Sequence, residues 1–161
     1  MSLAEQLVVV VLLGGLGCWG LALGQEKRQR QKVEAVASDL LAGIQLARAE
    51  AERRQLACGL SLDTEGWQEP ADGSLPACAK GLKKFGDAVT LAHSFPATLR
   101  FSANGLVIDG GVVVLSHSGT GLRRCLVMAL PLGLVRLGRY DADPAGPPSA
   151  SQCQAERSIN G

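Results

Sequence analysis

The sequence predicts an α+β fold, in which one long N-terminal helix packs on an antiparallel β-sheet body. Residues 7–23 are uncharged, and the segment after them repeats apolar side chains at steps of three and four. Beyond residue 55 the pattern changes to short extended segments separated by glycine-containing turns. With 161 residues, the chain has room for one such domain and an appendage.

The first element is the uncharged run. As a helix rising about 1.5 Å per residue, residues 1–24 would span roughly 36 Å, enough to cross a hydrocarbon layer about 30 Å thick. A secretory signal peptide would need a basic head, whereas residues 1–6 contain no Lys or Arg and one acid, Glu5. We therefore expect residues 1–24 to form the membrane-spanning or filament-core half of the helix.

The second element, residues 25–54, continues the same helix as an amphipathic half. Neither a proline nor a capping signal interrupts it before Gln55. Its apolar stripe should pack on the sheet and consists of Val33, Val36, Leu40, Ile44, Ala47 and Ala51.

The third element is a β-rich body, residues 55–140. Asn104-Gly105 and Asp109-Gly110-Gly111 predict tight turns between strands. Extended segments are expected at 56–62 and from Trp67, and further strands at 98–101, 106–108, 112–116, 123–129 and 134–137. Residues 141–161 are rich in Pro, Ala, Ser and Gly, which predicts an irregular C-terminal tail.

Composition argues against several classes of function. Lys and Arg total 16 against 15 Asp and Glu, which does not suit a strongly basic nucleic-acid coat protein. Neither His93 nor His117 has a carboxylate or nucleophile at a recognisable catalytic spacing. We therefore predict no enzymatic activity, no cofactor and no metal site.

Glu5 stands at the edge of the apolar run, where a carboxylate is costly unless it is solvated, protonated or paired. It either lies at the headgroup level or pairs with the α-amino group of a neighbouring chain's Met1. Met1-Ser2-Leu3-Ala4-Glu5 before an apolar helix resembles the mature N-terminus of type IV pilins and type II secretion pseudopilins. The resemblance implies that prepilin peptidase exposes Met1, which is then methylated, and that Glu5 is the filament-assembly glutamate. An unprocessed initiator Met1 is the alternative.

Two later segments resemble the H-type minor pseudopilin group, which includes the FimT and FimU minor pilins. They are the A-R-x-E-A signature at Ala47–Ala51 and the F-x-x-x-G hairpin at Phe101–Gly105. The resemblance implies a non-enzymatic subunit of a type IV pilus or a type II secretion pseudopilus, in a tip or initiation complex. It leaves open which of the two filaments the chain joins. The implied partners are other minor and major pilins or pseudopilins, inner membrane lipid, and prepilin peptidase.

The segment after the apolar run bears on how the predicted span is oriented in the membrane. Residues 25–32 hold four positive charges and one negative charge, and by the positive-inside tendency they would face the cytoplasm. The basic leader that the resemblance implies would outweigh them during insertion. The expected location is therefore the inner membrane, with a single span and a periplasmic body, followed by a cell-surface pilus or a periplasmic pseudopilus.

The chain has five cysteines, whose spacing bears on whether the body forms disulfides or binds zinc. Cys18 lies in the apolar run, and the other four show no C-x-x-C spacing and no nearby histidine, which disfavours zinc. An extracytoplasmic body favours disulfides, and four cysteines allow three pairings. We favour Cys58–Cys78 and Cys125–Cys153, because each ties a loop-rich segment to a predicted strand.

A DNA receptor is the alternative function, because some FimT-like pilins bind DNA through a C-terminal G-R-x-R motif. Gly133–Arg136 and Gly138–Asp141 each keep only one of the two arginines. Phosphate binding needs several clustered cations, for which the candidates are Arg123, Arg124, Arg136 and Arg139. Ordinary solvated charge is the favoured interpretation of these arginines. A third possibility is a membrane-anchored periplasmic domain that never polymerises.

Overall fold

The computed structural model has one long helix followed by two antiparallel sheets, which confirms the predicted α+β fold. The structure describes residues 3–155 except 71–72, 81–83, 87–88 and 131–132, with side chains described from residue 24 onward. The strands are β1 (Cys58–Asp63), β2 (Gly66–Gln68), β3 (Thr90–His93), β4 (Leu99–Phe101), β5 (Gly111–His117), β6 (Thr120–Ala129), β7 (Leu134–Tyr140) and β8 (Cys153–Ala155).

Helix α1 runs without interruption from Leu3 to Arg54, as the pattern predicted. All six residues of the predicted apolar stripe are buried, and Val33, Leu40 and Ile44 are fully inaccessible. The chain leaves the helix at Gln55, which has a left-handed backbone with φ 53°. Its side-chain amide donates to the Glu52 carbonyl oxygen at 2.8 Å and so satisfies one of the last helical acceptors.

Two sheets cover the buried side of α1. The smaller has the strand order β2-β1-β4, and the larger has the order β3-β5-β6-β7-β8, with every pairing antiparallel. Strand β6 runs alongside the helix, because the β5–β6 turn at Gly119 lies against Gln29 and the β6–β7 turn at Gly133 lies against Arg48. The body therefore covers α1 from about residue 25 to its C-terminal end.

The larger sheet buries apolar side chains on both faces. Leu126 and Met128 of β6 face the helix, in agreement with the two-residue alternation of a strand. Cys125 and Val127 point to the opposite face, where they form a smaller cluster with Val112, Val114, Tyr140 and Cys153. The C-terminal segment covers that face, and there the Tyr140 hydroxyl accepts a hydrogen bond from the Ser149 backbone N–H at 3.3 Å.

Three local features differ from expectation. Residues 106–108 do not form a strand and make one isolated bridge between Val107 and Phe101, because the hairpin is only a few residues long. Strand β3 was not predicted, since its sequence has only one large apolar residue, Leu91. The segment expected to be an irregular tail contains β8, which pairs with β7 and is held by a disulfide at Cys153.

Trp67 shows how closely the small sheet approaches the helix. Its indole Nε1 donates to the Leu40 carbonyl oxygen at 3.2 Å, and the side chain is buried. A Cβ atom at Gly43 would overlap the indole ring, so the absence of a side chain there permits the contact.

Replacing this glycine should therefore destabilise the body. We expect Gly43→Ala to lower the free energy of unfolding by about 1–3 kcal/mol, because the indole must move away from the helix. Gly24→Ala in the same helix is the control. Nothing lies within 4 Å of a Cβ there, and alanine should raise helix stability by up to about 1 kcal/mol. Urea unfolding in detergent measures both, and equal effects of the two substitutions would contradict the packing argument.

Candidate functional site

The two predicted assembly residues are Met1 and Glu5. Met1 is outside the described residues, and for Glu5 the structure describes helical backbone only. From Leu3 to Gly24 the helical backbone extends about 32 Å at the usual rise. Residues 7–23, the predicted spanning run, therefore lie within the helix.

Among the residues whose side chains the structure describes, no helix is long and apolar enough to cross a bilayer.

The structure forms the two disulfides that the sequence favoured. Cys58 is joined to Cys78 with a Cα–Cα distance of 4.9 Å, and Cys125 is joined to Cys153 at 5.8 Å. The second disulfide connects β6 to β8, although β7 lies between those strands in the sheet order. A Cβ atom at Gly138 of β7 would lie 3.2 Å from the Cys153 sulfur, so the glycine leaves room for this crossing.

The four candidate DNA-binding arginines do not share one face. Arg124 and Arg139 are directly opposite in the β6–β7 register, and Arg124 pairs with Glu34 of α1 at 2.5 Å. These two arginines therefore lie on the helix-facing side. Arg123 and Arg136 lie on the other side, where they donate to the carbonyl oxygens of Ala142 and Cys153. The single basic face that a DNA-binding site would need is therefore not formed by these four arginines, because adjacent residues of a strand point in opposite directions.

At the end of the body farthest from the helix N-terminus, the structure exposes an apolar surface. We call Leu106, Ile108 and Leu130 the distal apolar surface, and these side chains are 46%, 48% and 55% exposed. They line a shallow groove of about 330 Å³ together with Ser102 and Val107. Leu134, which starts β7 in the same turn region, is 64% exposed. Clustered apolar exposure of this kind is typical of protein contact surfaces.

Arg48 holds the two loops that carry this surface. Its guanidinium donates to the Gly105 carbonyl oxygen at 3.1 Å and to the Gly133 carbonyl oxygen at 3.2 Å. Both glycines have left-handed backbones, with φ 69° and 59°. The sequence analysis named Arg48 only as part of the A-R-x-E-A signature. Its two hydrogen bonds were not predicted, because neither carbonyl group is close to it in sequence.

A second arginine fixes the base of the 102–109 loop. Arg100 donates from Nε and a terminal nitrogen to the two carboxylate oxygens of Asp109, at 2.9 and 2.8 Å, and its backbone N–H adds a third bond at 3.0 Å. The side-chain hydrogen bonds from Arg100 lower the pKa of Asp109 from its ordinary value, although partial burial opposes this. Asp109 therefore stays ionised and keeps Ile108 in place.

Each of the two histidines contacts residues close to it in sequence. His117 accepts a hydrogen bond from the Gly119 backbone N–H at 3.0 Å and so closes the β5–β6 turn. His93 of β3 lies beside Phe95, with the ring centroids 6.2 Å apart. Among the residues that the structure describes, no group of three or more His, Cys, Asp or Glu side chains is placed to hold a metal ion.

Comparison with known proteins identifies one family. Residues 36–131, more than half of the chain, match the family model of the type II transport protein GspH. The match covers the packed half of α1 and most of both sheets, including Arg48 and the Arg100–Asp109 pair. No curated protein and no solved structure is significantly similar to the chain.

Removing the guanidinium that joins the two loops should loosen the distal end of the body. We expect Arg48→Met to lower the free energy of unfolding by about 2–4 kcal/mol, because two charge-assisted hydrogen bonds to carbonyls are lost. Hydrogen–deuterium exchange should increase in residues 102–110 and around residue 133. Arg53→Met, which removes an exposed cation from the same helix, should leave exchange in both loops unchanged. Equal exchange in the two variants would exclude the bridging role.

The Arg100–Asp109 pair predicts a dependence of stability on pH. A carboxyl group whose pKa is lowered on folding stabilises the folded state above its unfolded pKa of about 3.9. That contribution is lost as the pH falls through the lowered value. Asp109→Asn should therefore be less stable than the unaltered protein at pH 7, and the difference should shrink below about pH 4. Thermal unfolding of both proteins across this pH range tests the prediction. A stability difference between them that is constant with pH would contradict it.

Proposed function

Because the chain belongs to the family of the type II transport protein GspH, we propose that it is a minor pseudopilin, a structural subunit without enzymatic activity. The observation that carries the proposal is the single helix from Leu3 to Arg54. The body covers α1 only from about residue 25, so about 22 helical residues, 3–24, precede the covered part. In such a helix the second half packs on its own body, and the first half is left to contact lipid or the helices of other subunits.

Assembly would use the N-terminal half. In the membrane, residues 1–24 form the span, and in the filament the same apolar side chains pack against the helices of neighbouring subunits. Glu5 then pairs with the methylated α-amino group of a neighbouring Met1. In an apolar bundle this pairing sets the stagger between subunits, because an unpaired carboxylate there would be strongly disfavoured.

The family favours a type II secretion pseudopilus over a type IV pilus. The chain then matures by prepilin peptidase cleavage before Met1, resides in the inner membrane with its body in the periplasm, and is transferred into the pseudopilus. Two disulfides in the body support this location, because disulfides persist in oxidising compartments such as the periplasm.

The body would contact other minor and major subunits, in a tip or initiation complex. The distal apolar surface supports such a contact, since it is the end of the body that faces away from the membrane. The DNA-receptor alternative has less support, because the four arginines lie on two faces. Arg123 and Arg136 donate to backbone carbonyl oxygens, and Arg124 and Arg139 pair with the carboxylates of Glu34 and Asp141.

Replacing Glu5 tests assembly through the helix. We expect Glu5→Ala to reduce incorporation into the sheared pseudopilus fraction by at least about tenfold, because loss of one partner leaves a buried charge unpaired. The variant should still reach the membrane.

Glu26→Ala is the matched control. It removes an acid of the same helix that pairs with Arg30 on an exposed surface, and incorporation should be unchanged. Full incorporation of Glu5→Ala would instead support a membrane-anchored domain that does not polymerise, and would refute the proposal.

A further inference from the structure

The helix carries a concentrated positive charge at the point where the body begins. Lys27, Arg28, Arg30 and Lys32, which we call the basic collar, are all exposed. Arg30 pairs with Glu26 at 2.9 Å. The other three collar residues have no ion-pair partner among the described residues. We propose that the basic collar binds the anionic phosphodiester headgroups of phospholipids in the periplasmic leaflet.

The collar residues lie off the face of the helix that meets the body, and all four are exposed. Gln29 and Val33, four residues apart, share the face that meets the β5–β6 turn and the sheet. Arg28 and Lys32 are also four residues apart and share another face. Two like charges in this relation repel each other and destabilise a helix slightly. An external anion would remove that repulsion.

The collar stands at the right height for headgroups. Lys27 is four residues beyond Leu23, and Lys32 is nine, which places them about 6 and 13 Å beyond the apolar run. The polar layer on each side of a bilayer is roughly 5–8 Å thick. Long basic side chains reach several ångströms back along the helix toward that layer. This inference rests on the proposed membrane insertion of residues 1–24.

The body contributes a polar recess at the same level. A groove of about 620 Å³ lies between α1 and the β5–β6 turn, lined by Gln25, Glu26 and Gln29 on one side and residues 118–121 on the other. Its side-chain amides, two hydroxyl groups and glycine backbone are groups that hydrogen-bond phosphate and glycerol oxygens. The Glu26 carboxylate in the lining is paired with Arg30 at 2.9 Å, which offsets its repulsion of a phosphate. The recess therefore suits a headgroup held beside the collar.

A lipid partner explains the charge better than an acidic protein surface. The collar follows directly on the apolar run, so it meets headgroups whenever that run is in the bilayer. A positive flank on the periplasmic side also runs against the positive-inside tendency, and attraction to anionic lipid offsets that cost.

The test uses the full chain reconstituted into vesicles of equal parts phosphatidylcholine and phosphatidylglycerol. Spin-labelled versions of each lipid measure their relative association with the protein. We expect a preference for phosphatidylglycerol that weakens as salt rises from about 0.01 M to 1 M. In the triple variant Lys27→Gln, Arg28→Gln and Lys32→Gln, this preference should fall by at least about fivefold.

A matched triple variant removes the same charge elsewhere. Arg53→Gln, Arg54→Gln and Lys84→Gln alter exposed cations of the body, and Arg53 lies about 45 Å along the helix from Leu23. This control should keep the full preference for phosphatidylglycerol. Circular dichroism establishes that both variants are folded.

Protease protection of residues 1–24 distinguishes failure of the collar inference from failure of the proposed membrane insertion. If the chain is inserted but shows no preference for phosphatidylglycerol, the collar inference fails and the proposed function stands. If residues 1–24 do not insert at all, both fail. If lipid preference is absent and the collar variant instead loses incorporation into the pseudopilus, the collar contacts acidic side chains of a neighbouring subunit, which overturns the lipid assignment.

Discussion

The burial of one stripe of α1 against the two sheets is the constraint on which the rest of the structure depends. The stripe residues between Val33 and Ala51 are buried, and at about 25 cal/mol per Å² this burial is a large favourable term for a small body. Because the stripe occupies only the second half of the helix, it fixes where the body begins. It also fixes the heights of the basic collar and the distal apolar surface, which lie near the two ends of the packed segment.

The sequence predicted those features that depend on local periodicity. The helix bounds, the buried stripe and the central strands β5 and β6 follow from three- and four-residue or two-residue repeats. Strands β3 and β8 were missed because they are short and receive their order from a neighbouring strand or from a disulfide. The separation of Arg123 from Arg124 follows from strand alternation and could have been inferred once β6 was placed.

Parts of the candidate site could not be predicted because they join residues distant in sequence. The hydrogen bonds of Arg48 reach 57 and 85 residues along the chain, and no pattern indicates which carbonyl oxygens they reach. The same holds for Trp67 and the Leu40 carbonyl. By contrast, the basic collar and Glu5 could be identified in the sequence, because what marks them is their position next to the apolar run.

The parallel course of α1 and β6 has a mechanical consequence. A force applied along the axis of α1 would load the contacts arranged along that axis together, in shear. Peeling would break them one at a time at a much lower force. The Arg48 bridges resist sliding at one end, and the Cys125–Cys153 bond prevents β8 from unravelling. Under such a force the helix and the body would therefore move as one unit.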